Sequence, residues 1–349
     1  MIKAVCFSGV EQVSYRELGN LQIVSDDDAI VRVTTAGLCG SDLHPYFGRE
    51  LGIDQGTILG HEFVGEVVAT GANVQSLNNG DRVACPFTTN CGTCRMCQLG
   101  LTARCAEGQL FGWREKGKGL HGGQATHVRV PLADSTLMKL SHGTSDEIAI
   151  LMGDNLSTAY FATQLADLNQ KDAIAVVGCG TVGLLAIQWA RSLGVERVLA
   201  IEPNSHRRQM AGRLGAITAS DLQQFKSLTK EATGGHGVDS VMEFVGLPDA
   251  QRTAFEVVRP GGTLASIGCH CTPHLSFSPS EAYDKNLTYR TGRCSARHYM
   301  ETVQQMSASS NMDLSWCITH QFSLDQASEA YSTFANRTDH CIKAVFKID

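Results

Sequence analysis

The sequence predicts an α/β protein of two domains, a β-rich domain joined to a doubly wound parallel sheet. Three observations predict it. Short apolar runs rich in Val and Gly, with turns between them, fill roughly the first 150 residues. Strand-like and helix-like segments alternate after that. A Gly-x-Gly-x-x-Gly segment at 178–183 falls between a strand-like run and a helical one.

The elements follow in order. IVRVTTAG (30–37), FVGEVVATG (63–71), DRVACPF (81–87) and QATHVRVP (124–131) are short β-branched runs closed by Gly or Pro. Strands at this spacing predict a barrel-like unit. The long apolar run 148–166 contains no Pro and predicts helix, in one piece or more. AIAVVG (173–178) has the composition of a parallel strand buried on both faces. TVGLLAIQWARSLG (181–194) has helical spacing and ends on Gly, and VERVLAIEP (195–203) is the next strand. SVMEFVG (240–246), a helix over 248–258 and GGTLASIG (261–268) continue the alternation. GGTLASIG is expected at the edge of the sheet, where it could pair with another copy. The tail from 294 ends in the strand-like CIKAVFKI (341–348). The expected domains are 1–154 with 294–349, and 155–293.

Composition narrows the function. At roughly 150 residues per domain, 349 residues make about two domains. Lys and Arg number 29 against 35 Asp and Glu, a net charge of −6. That balance excludes a chain built to coat nucleic acid or an anionic membrane. With 43% hydrophobic and 18% charged residues, the chain is not a mostly disordered one. No apolar run reaches the ~18 residues of a membrane helix, and the start has no signal-peptide stretch. A cytoplasmic location is therefore expected. There, clustered cysteines serve metals or catalysis more often than disulfides.

Cys91, Cys94, Cys97 and Cys105 are spaced C-x2-C-x2-C-x7-C in a lobe over 88–108. Four thiolates suit zinc, and four protein ligands close a site against substrate, so such a metal is structural. An iron–sulfur cluster shares the opening spacing and stays open as an alternative. A looser group comprises Cys39, His44, His61, Glu62 and Asp154. Cys39, His61 and a carboxylate could hold a catalytic zinc with an open fourth position. Cys39 could equally be a core residue.

In the glycine motif, Gly178 permits the turn, Gly180 admits a pyrophosphate, and Gly183 allows the helix to pack on the strand. Thr181 and Val182 lie in the first turn of that helix, whose N–H groups favour phosphate. Glu202 lies 24 residues after Gly178, where a carboxylate accepts the ribose hydroxyls and repels a 2′-phosphate. NAD is therefore expected over NADP, although Arg207 and Arg208 could meet a phosphate.

Taken together, GLCGSDLH, GHEFVGEVVATG, the four-cysteine lobe, Asp154, GCGTVG and Glu202 occur in the order found in the zinc-dependent medium-chain alcohol dehydrogenases, which the chain resembles over nearly its whole length. The resemblance implies a GroES-like catalytic domain plus a Rossmann domain. It implies two zinc ions per subunit, with Cys39, His61 and Asp154 as catalytic ligands and Glu62 as an alternate one. Many members carry Cys where this chain has Asp154. The resemblance makes Asp42 the acceptor behind His61, and Ser41 and His44 a proton relay. It places Val245, Ile267, Cys269, Arg207 and Lys343 at the cofactor, with Lys343 at the pyrophosphate. It implies hydride transfer between an alcohol, or its aldehyde or ketone, and NAD(H). Polyol, threonine and formaldehyde-adduct dehydrogenases share the skeleton, and a catalytically silent relative would too. Phe47, Leu110 and Trp113 are the expected substrate pocket. No nucleic-acid or membrane partner is expected, and a homotetramer is expected over a dimer.

Overall fold

The computed structural model describes all 349 residues, in two compact units. One comprises residues 1–157, 295–306 and 313–349; the other comprises 158–294 and 307–312. Strands are numbered along the chain.

The first unit begins with the antiparallel hairpin β1 (Ile2–Gly9) and β2 (Gln12–Leu18). Next come β3 (Ala29–Gly37), β4 (Phe63–Thr70) and β5 (Arg82–Cys85). A small hairpin, β6 (Trp113–Glu115) and β7 (Lys118–Leu120), precedes β8 (His127–Val130) and β9 (Met138–Lys139). The second unit carries β10 (Ala173–Val177), β11 (Arg197–Ile201), β12 (Ile217–Ala219), β13 (Val238–Glu243), β14 (Val258–Ser266) and β15 (Thr288–Thr291). The chain then supplies β16 (Ile318–Phe322) and β17 (Lys343–Lys347) to the first unit.

In the first unit the main sheet runs β16-β17-β3-β4-β5-β9, and β8 also pairs with β3. Alternation explains β3: Val31 and Val33 point into the core while Arg32 and Thr34 are half-exposed. Phe63, Val67, Phe111, Tyr331 and Phe346 fill the same core. At Gly65 of β4 a Cβ would stand 2.1 Å from the Arg32 carbonyl oxygen, so only glycine allows the two strands to approach this closely.

The second unit is a six-stranded parallel sheet in the order β12-β11-β10-β13-β14-β15. This is the doubly wound arrangement, with β10 central and all five of its residues buried. One expectation fails. GGTLASIG lies in β14, flanked by β13 and β15, and is not an edge. The edge on this side is Thr-Tyr-Arg-Thr in β15, a short mixed segment with no strand-like apolar pattern, and β12 is the other edge.

The apolar run 148–166 folds as two helices, Asp146–Met152 and Asn155–Ala166. The break falls at Gly153, where a Cβ would stand 2.1 Å from the Cys85 carbonyl oxygen. This break places Asp154, itself buried, between the two helices. No helix is long and apolar enough to cross a membrane.

The C-terminal strand is integral to the first unit, because β17 pairs with both β3 and β16. Phe346 is fully buried there. Phe346→Ala is expected to cost about 3–5 kcal/mol, read as a lower denaturant midpoint. A loss below about 1 kcal/mol would mean that β17 is dispensable.

Candidate active site

Cys39 leaves β3 through a short 3-10 turn, Gly40–Asp42, whose geometry is set by the Asp42 carboxylate. Asp42 Oδ2 accepts from the Cys39 backbone N–H at 2.9 Å. Its Oδ1 lies 3.1 Å from His61 Nδ1. One acid therefore holds both the cysteine turn and the imidazole. His61 and Glu62 come immediately before β4, and Asp154 comes from the break between the two helices.

The ligating atoms of Cys39, His61, Glu62 and Asp154 all lie within 4.8 Å of one another. Cys39 Sγ is 3.2 Å from Asp154 Oδ2, and His61 Nε2 is 3.5 Å from the same oxygen. Ser41 Oγ lies 3.3 Å from His61 Nε2. Asn155 Nδ2 donates to Glu62 Oε1 at 2.9 Å and to Asp154 Oδ2 at 3.3 Å. Its own Oδ1 is buried with no hydrogen-bond partner.

Lys343, expected at the pyrophosphate, is packed against this cluster. It is 1% exposed, donates to the Leu38 carbonyl at 2.9 Å and forms an ion pair with Glu62. Its ammonium is enclosed, with donors directed at the Leu38 carbonyl and Glu62. The sequence did carry a signal: Lys343 occupies an inward position of CIKAVFKI, among buried apolar residues. An inward lysine on such a strand needs a buried partner.

The electrostatics of the cluster call for a cation. Burial, reinforced by Asp154 and Glu62, pushes the Cys39 thiol up to about 11. Burial alone would lower His61, but Asp42 and Asp154 outweigh it and raise it well above the usual imidazole value. Burial also raises Glu62, with Lys343 opposing. Acidic groups thus outnumber the lysine, and protons are retained on sulfur and imidazole. A divalent cation can replace those protons, and a thiolate, an imidazole and a carboxylate are a zinc donor set.

Four cysteines form a second cluster. Cys94 Sγ lies 3.6 Å from Cys97 Sγ and 3.9 Å from Cys105 Sγ. A tetrahedron with ~2.3 Å metal–sulfur bonds has edges of ~3.8 Å. That spacing suits a single ion and is too tight for a cluster of several. Backbone N–H groups of Ala106 and Cys97 pull the Cys94 thiol down to about 6, toward the ligating form.

In the second unit, Gly178 has φ +89° and closes β10. A Cβ on Gly183 would stand 2.0 Å from the Gly178 carbonyl oxygen. Gly180 caps the helix Thr181–Ser192, and Val182 lies in its first turn. Glu202, 4% exposed, follows β11; its oxygens accept from the Cys179 and Asn204 N–H groups, both at 2.9 Å. Arg207 is buried, with Nη1 3.9 Å from where a Cβ on Gly180 would stand. Arg208 donates to the Glu202 and Pro203 carbonyls and so points back at its own loop. Glu243, which the sequence reading missed, accepts from the Val245 and Gly246 N–H groups, while its carbonyl accepts from Ile267 and Gly268. It fastens the two loops that carry Val245, Ile267 and Cys269.

Of the expected pocket residues, Phe47 packs edge-on to Tyr46 and under Arg49. Leu110 bridges to Thr88, and Trp113 pairs with Leu120 in the β6–β7 hairpin. Phe87, which no motif marked, stands edge-on to His61 at 6.3 Å between ring centres.

The family described as alcohol dehydrogenase GroES-like domain matches residues 25–142, and the family described as zinc-binding dehydrogenase matches residues 181–309. The chain belongs to the zinc-dependent medium-chain alcohol dehydrogenases. It is an oxidoreductase of that family, with a GroES-like unit and a zinc-binding-dehydrogenase unit. Zinc-type alcohol dehydrogenase B of Aspergillus flavus is 36% identical over 95% of this chain and 78% of its own. Alcohol dehydrogenase TADH from Thermus sp. ATN1 is 36% identical, with a TM-score of 0.92 over 99% of this chain and 100% of its own. NADP-dependent isopropanol dehydrogenase of Clostridium beijerinckii is 29% identical over 99% of both chains. The family implies zinc and a nicotinamide cofactor for this dehydrogenase.

The Lys343–Glu62 pair generates a stability prediction. Lys343→Met leaves a buried glutamate without its cation and is expected to cost about 3–5 kcal/mol. The double variant Lys343→Met with Glu62→Gln is expected to recover a large part of that loss. Chemical denaturation of both variants and of Glu62→Gln alone checks this, and single losses that simply add in the double variant would show that the pair is not coupled.

Proposed function

We propose that this alcohol dehydrogenase is NAD-dependent and holds two zinc ions per chain, a catalytic one on Cys39, His61 and Asp154 and a structural one on Cys91, Cys94, Cys97 and Cys105. The observation that carries the catalytic assignment is the convergence of Cys39 Sγ, His61 Nε2 and Asp154 Oδ2 within one buried cluster. Zinc would supply Lewis acidity toward a substrate oxygen, and the nicotinamide would exchange the hydride.

The chain's own residues do the rest. Asp42 accepts from Nδ1–H of His61 and so presents the Nε2 lone pair toward Cys39 and Asp154. The ion pair with Lys343 holds Glu62 beside the three ligands, where it would serve as an alternate ligand. Ser41 Oγ, beside His61 Nε2, takes the alcohol proton and passes it toward His44. Burial lowers the His44 pKa below its usual 6.5, so the imidazole is neutral at pH 7 and able to accept. Glu202 supports NAD over NADP, because its buried carboxylate, fixed by two backbone N–H groups, repels a 2′-phosphate. The substrate is a small alcohol, or its aldehyde or ketone, read against Phe47, Leu110 and Trp113.

We also infer a homotetramer in the cytoplasm. The outer side of β15 ends its sheet unpaired, which supports association of copies. The four closely spaced cysteines suit metal binding, which supports a reducing compartment. Sedimentation giving a one-subunit mass would refute the assembly.

The main test is elemental analysis with kinetics. Two zinc ions per chain are expected, and Cys39→Ser should lose one of them along with turnover. A single ion, retained in Cys39→Ser, would overturn the catalytic assignment. Asp42→Asn is expected to weaken the catalytic metal about 10–100-fold while leaving the structural one. For the cofactor, kcat/KM should favour NAD, and Glu202→Ser should shift the ratio toward NADP. A wild-type preference for NADP would reject the Glu202 argument. Ser41→Ala should lower kcat without changing cofactor affinity, and a screen of alcohols followed by reduced-nicotinamide absorbance would identify the substrate.

A further inference from the structure

The first unit contains a cavity of about 200 Å³ between the β6–β7 hairpin, β8 and the segment at Ile58. Its walls include Leu21, Ile58, Arg114, His121, His127 and Arg129, and no carboxylate. At roughly 30 Å³ per water, it has room for several waters or one compact solute.

Hydrogen-bond roles around His121 conflict. Its Nδ1 accepts from the Ile58 backbone N–H at 3.0 Å. A neutral imidazole carries one proton, which must then be on Nε2. That N–H meets Nη1 of Arg114 at 3.0 Å. A guanidinium is always protonated and has no acceptor. Two donors therefore face each other, with no acceptor between them. Arg114 is otherwise tied only through Nη2, which donates to the Gly117 carbonyl at 2.9 Å, and it has no carboxylate partner. A third polar atom on the wall, Nδ1 of His127, is buried without a hydrogen-bond partner.

The neighbouring arginines already have acidic partners. Arg129 is paired with Asp28 at 3.0 Å, and Arg32 of β3 is paired with Glu66 at 2.8 Å. The terminal amino group is bonded to Asn20. Arg114 is the cation left without a counter-charge. Burial, then Arg114 and Arg129, pull the His121 imidazole down to about 4. Burial, then Arg32 and the terminal amino group, lower His127. Both rings are held neutral, by burial first and by the nearby cations second.

We propose that this cavity binds a compact oxoanion, a phosphate group or a short carboxylate, between Arg114, His121 and His127. One oxygen placed beside Arg114 Nη1 and His121 Nε2 accepts from both and removes the donor-to-donor contact. A second oxygen accepts from His127 in its Nδ1–H form. The site is separate from the zinc cluster. It shares with it only the backbone around residue 60, where Gly122 and Gly123 donate to Ile58 and Gly60.

The test uses the zinc-loaded enzyme saturated with reduced cofactor, so that the pyrophosphate position is already filled. Inorganic phosphate and malonate are titrated separately by calorimetry at constant ionic strength. Saturable binding of at least one anion is expected, and the tighter of the two tells a phosphate group from a carboxylate as the source. Arg114→Gln should weaken that binding about tenfold or more, the worth of one charge-assisted hydrogen bond. His127→Asn should weaken it to a smaller degree. Imidazole NMR of the unmodified enzyme gives a readout that needs no variant: the bound anion should raise the His121 pKa from about 4. No saturable binding of either anion, equal binding in Arg114→Gln, or a His121 titration unmoved by both anions would overturn the proposal.

Discussion

Buried charge sets the terms for the first unit. Asp42, Glu62, Asp154 and the Cys39 thiol surround His61, with Lys343 as the lone buried lysine beside them. Isolated ions in such a setting are unfavourable by several kcal/mol each. The cluster is tolerable because each member has a fixed partner. Asp42 is held by His61 and a backbone N–H, Glu62 by Lys343 and Asn155, and Asp154 by Asn155 and the thiol. A resident divalent ion would complete the neutralisation that protons on Cys39 and His61 otherwise supply.

The β-sheet exists in a form that brings these groups together from distant parts of the chain. Cys39 follows β3, His61 precedes β4, and Lys343 opens β17, which pairs with β3. Asp154 arrives only because Gly153 interrupts an apolar run that would otherwise continue as one helix. Backbone pairing therefore fixes the donor geometry, and side-chain chemistry selects the ion.

The second unit solves a different problem by the same economy of contacts. Two carboxylates, Glu202 and Glu243, are used as backbone clips at the carboxyl ends of parallel strands. Each holds loops in the place where this kind of sheet receives a nucleotide. Glu202 also keeps a buried negative charge at the end of β11, beside the glycine turn it fastens.

By itself the sequence determined the elements whose signal is local. The strands and helices of the second unit, the glycine motif and the four closely spaced cysteines all depend on neighbours within a few residues. Tertiary structure alone decided what depends on distant pairing. It moved GGTLASIG from edge to interior, because β15 has no apolar pattern of its own. It made Lys343 the buried partner of Glu62, brought Phe87 to His61, and set Arg114 against His121. No spacing rule links residues 62 and 343. Only strand pairing and the cost of a buried, unpaired charge place them together.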